Sequence, residues 1–521
     1  MCKLNVRVPT LLMVLLFSQY SYSQNPAKPQ NVVLIIADDI GYGDLSCYGA
    51  TAIRTPHVDQ VAKRGLIFSD AHTTASTCTP SRYSIFTGEY NWRKKGTGIA
   101  TGDAGMVIRP EQFTMADMFR QAEYTTGAIG KWHLGLGDRQ GDQDWNGFIT
   151  PGPADIGFDY SFLMAATGDR VPCVWVENQK VANYDPSAPI AVSYKTPFPG
   201  EPLGKDDPEL LTKLRPSPNH GHNQAIVNGI SRIGYMKGGG KALWQDEFIA
   251  DTIASRAASF IKKHSQQPFF LYVGTNDIHV PRYPHPRFAG KSGMGFRGDA
   301  ILQFDWTVGE IVKALKDAGL FDNTLIIISS DNGPVVDDGY QDQAEALLGN
   351  HQPWGSLHTR SGKYSNFEAG TRVPFIVSWP SHVKSGRSNA LFSQVDLLAS
   401  FAALVSQKPL PKQVTDSQDQ LMTLLGNNKK GRQYVIESST SLAISDGEWK
   451  YIAPNQSPAF YELTKTRSGN ASIDQLYHLK KDLAETRNLA KEEPERTAAF
   501  KALLQKEKEK GYLKDPLNPE N

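Results

Sequence analysis

Four segments of the chain are apolar almost throughout rather than at alternate positions: Asn31–Ala37 (NVVLIIA), Pro268–Gly274 (PFFLYVG), Asn323–Ser329 (NTLIIIS) and Val373–Trp379 (VPFIVSW). A strand with one wet face alternates apolar and polar residues. A run without alternation buries both faces, as in a parallel sheet covered by helices. The intervening sequence supplies such helices. In Asp246–Lys263 the residues Ile249, Ile253, Ala257, Phe260 and Ile261 share one face, and Phe113–Tyr124 and Asp299–Ala318 read as further helices. The expected architecture is α/β.

Beyond residue 408 the pattern changes. LPKQVTDSQDQ is polar and reads as a connector, Arg432–Ser438 as a strand, and Leu442–Ile452 as a hairpin turning at Asp446-Gly447. A charged helix, Pro494–Lys510, follows. The reading is a main domain over 24–408 and a small α+β subdomain over 409–521. Residues 138–245, rich in Gly, Pro, Asp and Asn, are expected to be long insertions on one rim, where binding surface concentrates. At the N-terminus, Lys3 and Arg7 precede the apolar run Leu11–Phe17, and Ser21 and Ser23 have cleavage-type spacing. This pattern is a signal peptide over 1–23, too short to span a bilayer, and implies a secreted or periplasmic protein. Nothing later in the sequence reads as a membrane span.

Apolar residues make up 40% of the chain and its 55 basic side chains nearly cancel 54 acidic ones. That balance excludes a disordered chain and a nucleic-acid binder working by bulk charge. Of four cysteines, Cys2 lies ahead of the apolar run. Cys47 and Cys173 either pair or stay as two ordinary thiols. Cys78 stands apart, in the turn-like stretch STCTPSRYSIFTG at 76–88.

In an open α/β sheet, ligands bind beyond the carboxyl ends of the strands. The apolar runs here stop in polar clusters: Asp38-Asp39, Asn276-Asp277-Ile278-His279 and Asp331-Asn332-Gly333. The strand expected at Thr125–Gly130 runs into Lys131-Trp132-His133. Each cluster alone is as readily a cap or a turn. Together they set carboxylates and an amide oxygen, the hard ligands of Ca²⁺ or Mg²⁺, beside Arg82, Lys131, His133 and His279. Such a centre suits an anionic, tetrahedral oxyanion substrate.

Cys78-Thr79-Pro80-Ser81-Arg82 followed by Thr87-Gly88 resembles the signature of the type I sulfatases. Further landmarks match in order: Asp38-Asp39, Gly130-Lys131-Trp132-His133, His279-Val280-Pro281, Asp331-Asn332-Gly333, Lys363, and Glu368-Ala369-Gly370-Thr371-Arg372-Val373-Pro374. Gly447-Glu448-Trp449-Lys450-Tyr451 and Gln475-Leu476-Tyr477 resemble that family's end domain, and Phe86 departs from its usual Leu. The resemblance implies an alkaline-phosphatase-like fold, a large mixed and mostly parallel sheet sandwiched by helices with a smaller C-terminal subdomain. It implies that a formylglycine-generating enzyme oxidises Cys78 to Cα-formylglycine (3-oxoalanine). One hydroxyl of its hydrate attacks sulfur, and deprotonation of the other expels sulfate. It further implies one Ca²⁺ held by Asp38, Asp39, residue 78, Asp331 and Asn332. Arg82 steadies the alkoxide and Lys131 binds sulfate. His133 takes a proton, while His279 and Lys363 face the leaving oxygen with His279 as general acid. The two histidines are interchangeable at this stage.

The rim segment holding Asp169-Arg170, Asn219-His220-Gly221-His222 and Asn228–Lys241 is similar to bacterial exo-sulfatases of the galactosamine-6-sulfatase and arylsulfatase A group. The expected substrate is a sulfated glycan with 6-O-sulfate on terminal galactose or N-acetylgalactosamine. Asp169 and Arg170 either bracket a sugar hydroxyl or form a surface ion pair; His220 and His222 lack a third ligand for zinc. The alternatives are a phosphate or phosphonate ester hydrolase of the same superfamily, and a glycan-binding relative whose Cys78 stays a thiol.

Overall fold

The structure, a computed structural model, describes residues 30–355, 361–380, 382–407 and 410–510. The signal-peptide segment and the 408/409 domain boundary lie outside the described residues. At the centre is a ten-stranded sheet. Its middle five strands, Thr324–Ser330, Asn31–Ala37, Phe269–Gly274, Thr125–Lys131 and Tyr160–Met164, are adjacent in that order and all parallel. The strands Asn31–Ala37 and Thr324–Ser330 are buried at every residue, which is what their lack of alternation requires. Helices Ile249–Lys263 and Gly295–Asp317 pack on each other, the first presenting Ile249, Ile253, Ala257, Phe260 and Ile261 to the interior.

Two expectations need correction. The run at 373–379 forms the strand Phe375–Ser378, which pairs antiparallel to Thr324–Ser330. An apolar run reports burial on two faces and carries no information on direction. The helix expected over 113–124 is confined to Met115–Gln121. Thr114 caps it: its Oγ1 accepts from the Asp117 amide while the Asp117 carboxylate accepts from the Thr114 amide.

The C-terminal part is a four-stranded antiparallel sheet, Val435–Ser438, Leu442–Ser445, Trp449–Ile452 and Gln475–His478, with helix Pro494–Glu509 against it. The hairpin turns at Asp446-Gly447, where Gly447 takes φ +82, a left-handed conformation that glycine adopts without steric penalty. The connector is strapped down rather than free. Asp416 accepts from Arg93 Nε and Nη2 at 2.7 Å each and from the Tyr90 amide at 2.8 Å. Cys47 and Cys173 are free thiols. No described helix is long and apolar enough to cross a membrane.

Candidate active site

Parallel strands in register end on a common line, so the residues that follow them meet. Ala37 pairs with Ser330, Ile36 with Gly274, and Gly274 with Gly130. The next residues are Asp38, Asp331 and Lys131. Backbone bonds carry the ladder one step further: the Asp38 amide donates to the Asp277 carbonyl at 3.0 Å and the Asp331 amide to the Ala37 carbonyl at 3.1 Å. Asp39 then turns with φ +60, a left-handed conformation that Asp tolerates better than most side chains.

Cys78 begins the helix Cys78–Thr87, every residue of which is buried. Its Sγ lies 3.7 Å from Asp38 Oδ1. Ligand atoms of Asp38, Asp39, Cys78 and Asp331 all fall within 4.8 Å of one another. Asn332 donates through Nδ2 to Asp39 Oδ1 at 2.7 Å, and its buried Oδ1 has no hydrogen-bond partner. Three convergent carboxylates, with an orphaned buried amide oxygen on a residue bonded to one of them, fit a hard divalent cation. Cys78 is no thiolate here. Burial pushes its thiol well above the ordinary range, and Asp331 and Asp38 add to the push against Lys131 and Lys363.

Cations surround these carboxylates. Lys131 Nζ donates to Asp38 Oδ2 at 2.5 Å, and Arg82 donates to Asp331 Oδ2 through Nε at 2.9 Å and Nη2 at 2.7 Å. Burial and the neighbouring Asp331 and Asp39 outweigh Lys131 at Asp38, which rises to about 8. At Asp331 burial is outweighed by Arg82 and Lys131, which hold it down to about 2. Lys363 Nζ bridges Asp39 Oδ2 and Asp338 Oδ2 at 2.9 Å each.

Both histidines lie within this neighbourhood. His133, at φ +57, donates from Nε2 to the Ala100 carbonyl at 2.9 Å, leaving Nδ1 buried without a partner. Thr79 fixes that arrangement: its Oγ1 donates to the His133 carbonyl at 2.9 Å and accepts from the Ala100 amide at 3.1 Å. His279 donates from Nδ1 to the Val280 carbonyl at 2.7 Å, and its Nε2 lies 4.0 Å from Asp39 Oδ2. Burial holds both well below the ordinary histidine range, assisted by Lys131 and Arg170 at His133 and by Lys363 and Lys131 at His279. Each therefore offers a bare nitrogen at neutral pH.

On the rim, Asp169 and Arg170 form an ion pair in which the carboxylate is buried rather than on the surface. Asp169 is buried, with Arg170 Nη1 at 2.9 Å from both its oxygens and His222 Nε2 at 3.0 Å. Its Oδ1 is 4.0 Å from His279 Nδ1, so this group borders the centre. The His220 ring lies 6.3 Å from that of His222, and the pair belongs to no ligand cluster among the described residues. Asp277, within one of the polar clusters, instead accepts from Gln303 Nε2 at 3.1 Å.

Three participants escaped the sequence reading. Asp338 sits in VVDDGY, which reads as an ordinary turn. Tyr272, whose hydroxyl accepts from Arg82 Nη1, lies inside an apolar strand. Thr79 occupies the variable place of the cysteine signature. The Phe86 ring is absorbed by Tyr272 at 4.8 Å and Trp132 at 5.7 Å between ring centres.

Known proteins share this arrangement. A family model described as Sulfatase matches residues 30–407. N-acetylgalactosamine-6-O-sulfatase of Bacteroides thetaiotaomicron is 53% identical over 490 residues, 94% of each chain. Human arylsulfatase A is 31% identical across 89% of this chain and 84% of its own. A solved Bacteroides thetaiotaomicron structure, described under the metabolism of multiple glycosaminoglycans, superposes with a TM-score of 0.89 at 53% identity, covering 92% of this chain and 99% of that one. A family model over residues 30–407, with relatives 53% and 31% identical across most of the chain, leaves one conclusion: the chain belongs to the Sulfatase family and is a sulfuric ester hydrolase.

Proposed function

We propose that this sulfatase is an exported enzyme that removes 6-O-sulfate from galactose or N-acetylgalactosamine at glycan ends, using Cα-formylglycine made from Cys78 and one Ca²⁺. The observation that carries the substrate is the 53% identity, over 94% of both chains, to a protein named N-acetylgalactosamine-6-O-sulfatase. The 6-O-sulfated galactose alternative and the terminal mode of action rest on the rim resemblance.

Asp38, Asp39, Asp331, Asn332 and residue 78 are the proposed ligands; Ca²⁺ there supplies a Lewis acid for sulfate oxygens. The geometry supports the nucleophile indirectly, since the Cys78 thiol is held protonated and needs conversion to become useful. The hydrated aldehyde supplies one hydroxyl to attack sulfur and a second whose deprotonation expels sulfate. Arg82, locked on Asp331, keeps positive charge beside residue 78. Lys131 and Lys363, each fixed by carboxylates, hold the sulfate oxygens. His133 receives the proton of the second hydroxyl at Nδ1, the nitrogen left bare by the Ala100 bond. His279 is the proton donor to the leaving oxygen in this reading; burial and, after it, Lys363 and Lys131 hold the ring neutral in the free site, and the sulfate ester's negative charge acts against them. Asp169, with Arg170 and His222, is placed to fix hydroxyls of the sulfated sugar, and His220 lies further out.

Two measurements test this. Mass spectrometry of the peptide spanning residue 78 is expected to show a loss of about 18 Da, thiol replaced by aldehyde. An unmodified cysteine in the exported protein overturns the catalytic account and favours a glycan-binding relative. Rates on 6-sulfated and 4-sulfated N-acetylgalactosamine are expected to favour the former at least about 10²-fold. Equal turnover of both, or preference for an aryl phosphonate, overturns the substrate.

A further inference from the structure

Beside the catalytic centre runs a groove of about 630 Å³ that the reaction itself does not use. Its size is that of a small-molecule pocket. It is walled by Ile99, Tyr364, Phe460, Tyr461 and Leu463. Ile99 is 45% exposed, Phe460 38% and Leu463 46%, so three large apolar side chains face water on one rim. Clustered exposure of this kind marks a binding surface rather than ordinary scatter.

Three backbone segments link the lining of the groove to the centre. Thr77 and Pro80 line it and flank Cys78. Ile99 precedes Ala100, whose carbonyl holds His133. Tyr364 follows Lys363, and its hydroxyl donates to Asp338 at 3.1 Å, while its own carbonyl accepts from Ser439 in the C-terminal subdomain at 2.8 Å. The far wall, Phe460 to Thr464, belongs entirely to that subdomain.

The lining chemistry differs from that of the centre. Among the lining residues Glu462 alone carries a charge. The hydroxyls of Thr97 and Thr440 donate to the Asn91 carbonyl at 2.7 Å and to Asn470 Oδ1 at 2.8 Å, and so offer a ligand acceptor capacity only. Aromatic rings beside neutral hydroxyls suit the C–H face and hydroxyl edge of an uncharged pyranose. Among the described residues no cation lines the groove to receive a second carboxylate or sulfate, and Glu462 opposes one.

We propose that this groove holds the sugar next to the sulfated one and selects an uncharged neighbour over a uronic acid. The proposal rests on the glycan reading above. It is tested with three substrates sharing one 6-O-sulfated N-acetylgalactosamine: the monosaccharide, a disaccharide linked to a neutral hexose, and one linked to a hexuronic acid. The neutral disaccharide is expected to exceed the monosaccharide in kcat/KM about 10-fold, and the hexuronate disaccharide to gain nothing. Replacing both exposed side chains, Phe460→Ala with Leu463→Ala, is expected to remove the neutral disaccharide's advantage and leave the monosaccharide rate within about 2-fold of wild type. Equal kcat/KM for the two disaccharides, or an advantage that survives the double substitution, overturns the groove while leaving the substrate reading intact. Wild-type enzyme inert on all three overturns the substrate reading and the groove together.

Discussion

Two buried charge clusters in this molecule have the same composition and different purposes. The first is the centre at the sheet edge, with Asp38, Asp39, Asp331 and Asp338 against Arg82, Lys131 and Lys363. The second lies between the main sheet and the C-terminal sheet, with Asp70, Glu368, Glu437 and Glu485 against His72, Arg372 and Lys450. Each sets four acids against three cations. In the second, His72 gives both ring nitrogens away, Nδ1 to Glu437 at 2.6 Å and Nε2 to Asp70 at 2.9 Å. Glu437, Asp70 and Glu368 outweigh burial and raise His72 to about 9, so it is protonated and cannot ligate a metal, although Asp70, His72 and Glu368 converge as a metal site would. The surplus acid is neutralised by a proton: burial, with Glu368 and Glu437, pushes Glu485 up to about 8 against Lys450. In the first cluster the histidines stay neutral with a bare nitrogen each, and Asn332 Oδ1 is orphaned. Density of charge does not separate the two; the histidines do, since His72 spends both ring nitrogens on carboxylates while His133 and His279 each keep one bare.

That contrast can be broken most forcefully at Asp39. Asn tolerates the left-handed backbone there, so Asp39→Asn keeps the fold while removing a charged ligand. Turnover is expected to fall at least about 10³-fold, together with any Ca²⁺-dependent rise in Tm. Chelation of the wild type should do the same reversibly. A chelator-insensitive enzyme contradicts the assignment. Next in size is Lys450→Met, which strips the cation from the second cluster and leaves carboxylates buried without it. It is expected to cost about 3–5 kcal/mol in urea unfolding, with KM of the folded fraction unchanged. A shift in KM instead would show the two clusters to be coupled.

The smallest effect is a pH dependence of stability. His72 has a folded pKa raised from 6.5 to about 9, so its contribution is complete below pH 6.5 and is lost as pH rises to 9. Glu485, raised from 4.5 to about 8, likewise loses its contribution as pH climbs through that interval. Tm should therefore fall between pH 7 and 9, and His72→Gln should flatten the part due to His72, on the order of 3 kcal/mol at most. An unchanged slope in the variant removes His72 from the account.

Legibility in the sequence followed the range of the interactions. The strands Asn31–Ala37 and Thr125–Lys131 and the face of Ile249–Lys263 were readable because burial on two faces, or on one helical stripe, is written locally as periodicity. Asp38, Asp39, Asp331 and Asn332, the proposed ligands, were readable because parallel strands in register bring their ends together. Asp338 and Tyr272 were not: each matters through partners distant in sequence, Lys363 and Tyr364 for Asp338 and Arg82 for Tyr272. The role of Asp169 stayed open for the same reason, since a neighbouring Asp-Arg pair looks alike on a surface or beneath one.

The amino-acid sequence by itself determined the α/β architecture and carried the family resemblance around Cys78, because hydrophobic period and residue type are local properties. Tertiary structure alone decided which nitrogen of His133 stays bare, that Phe375–Ser378 runs antiparallel, and that His72 is spent while His279 is not. These outcomes depend on which carbonyl or carboxylate a fold brings within about 3 Å, and a hydrogen bond has no signature in one dimension.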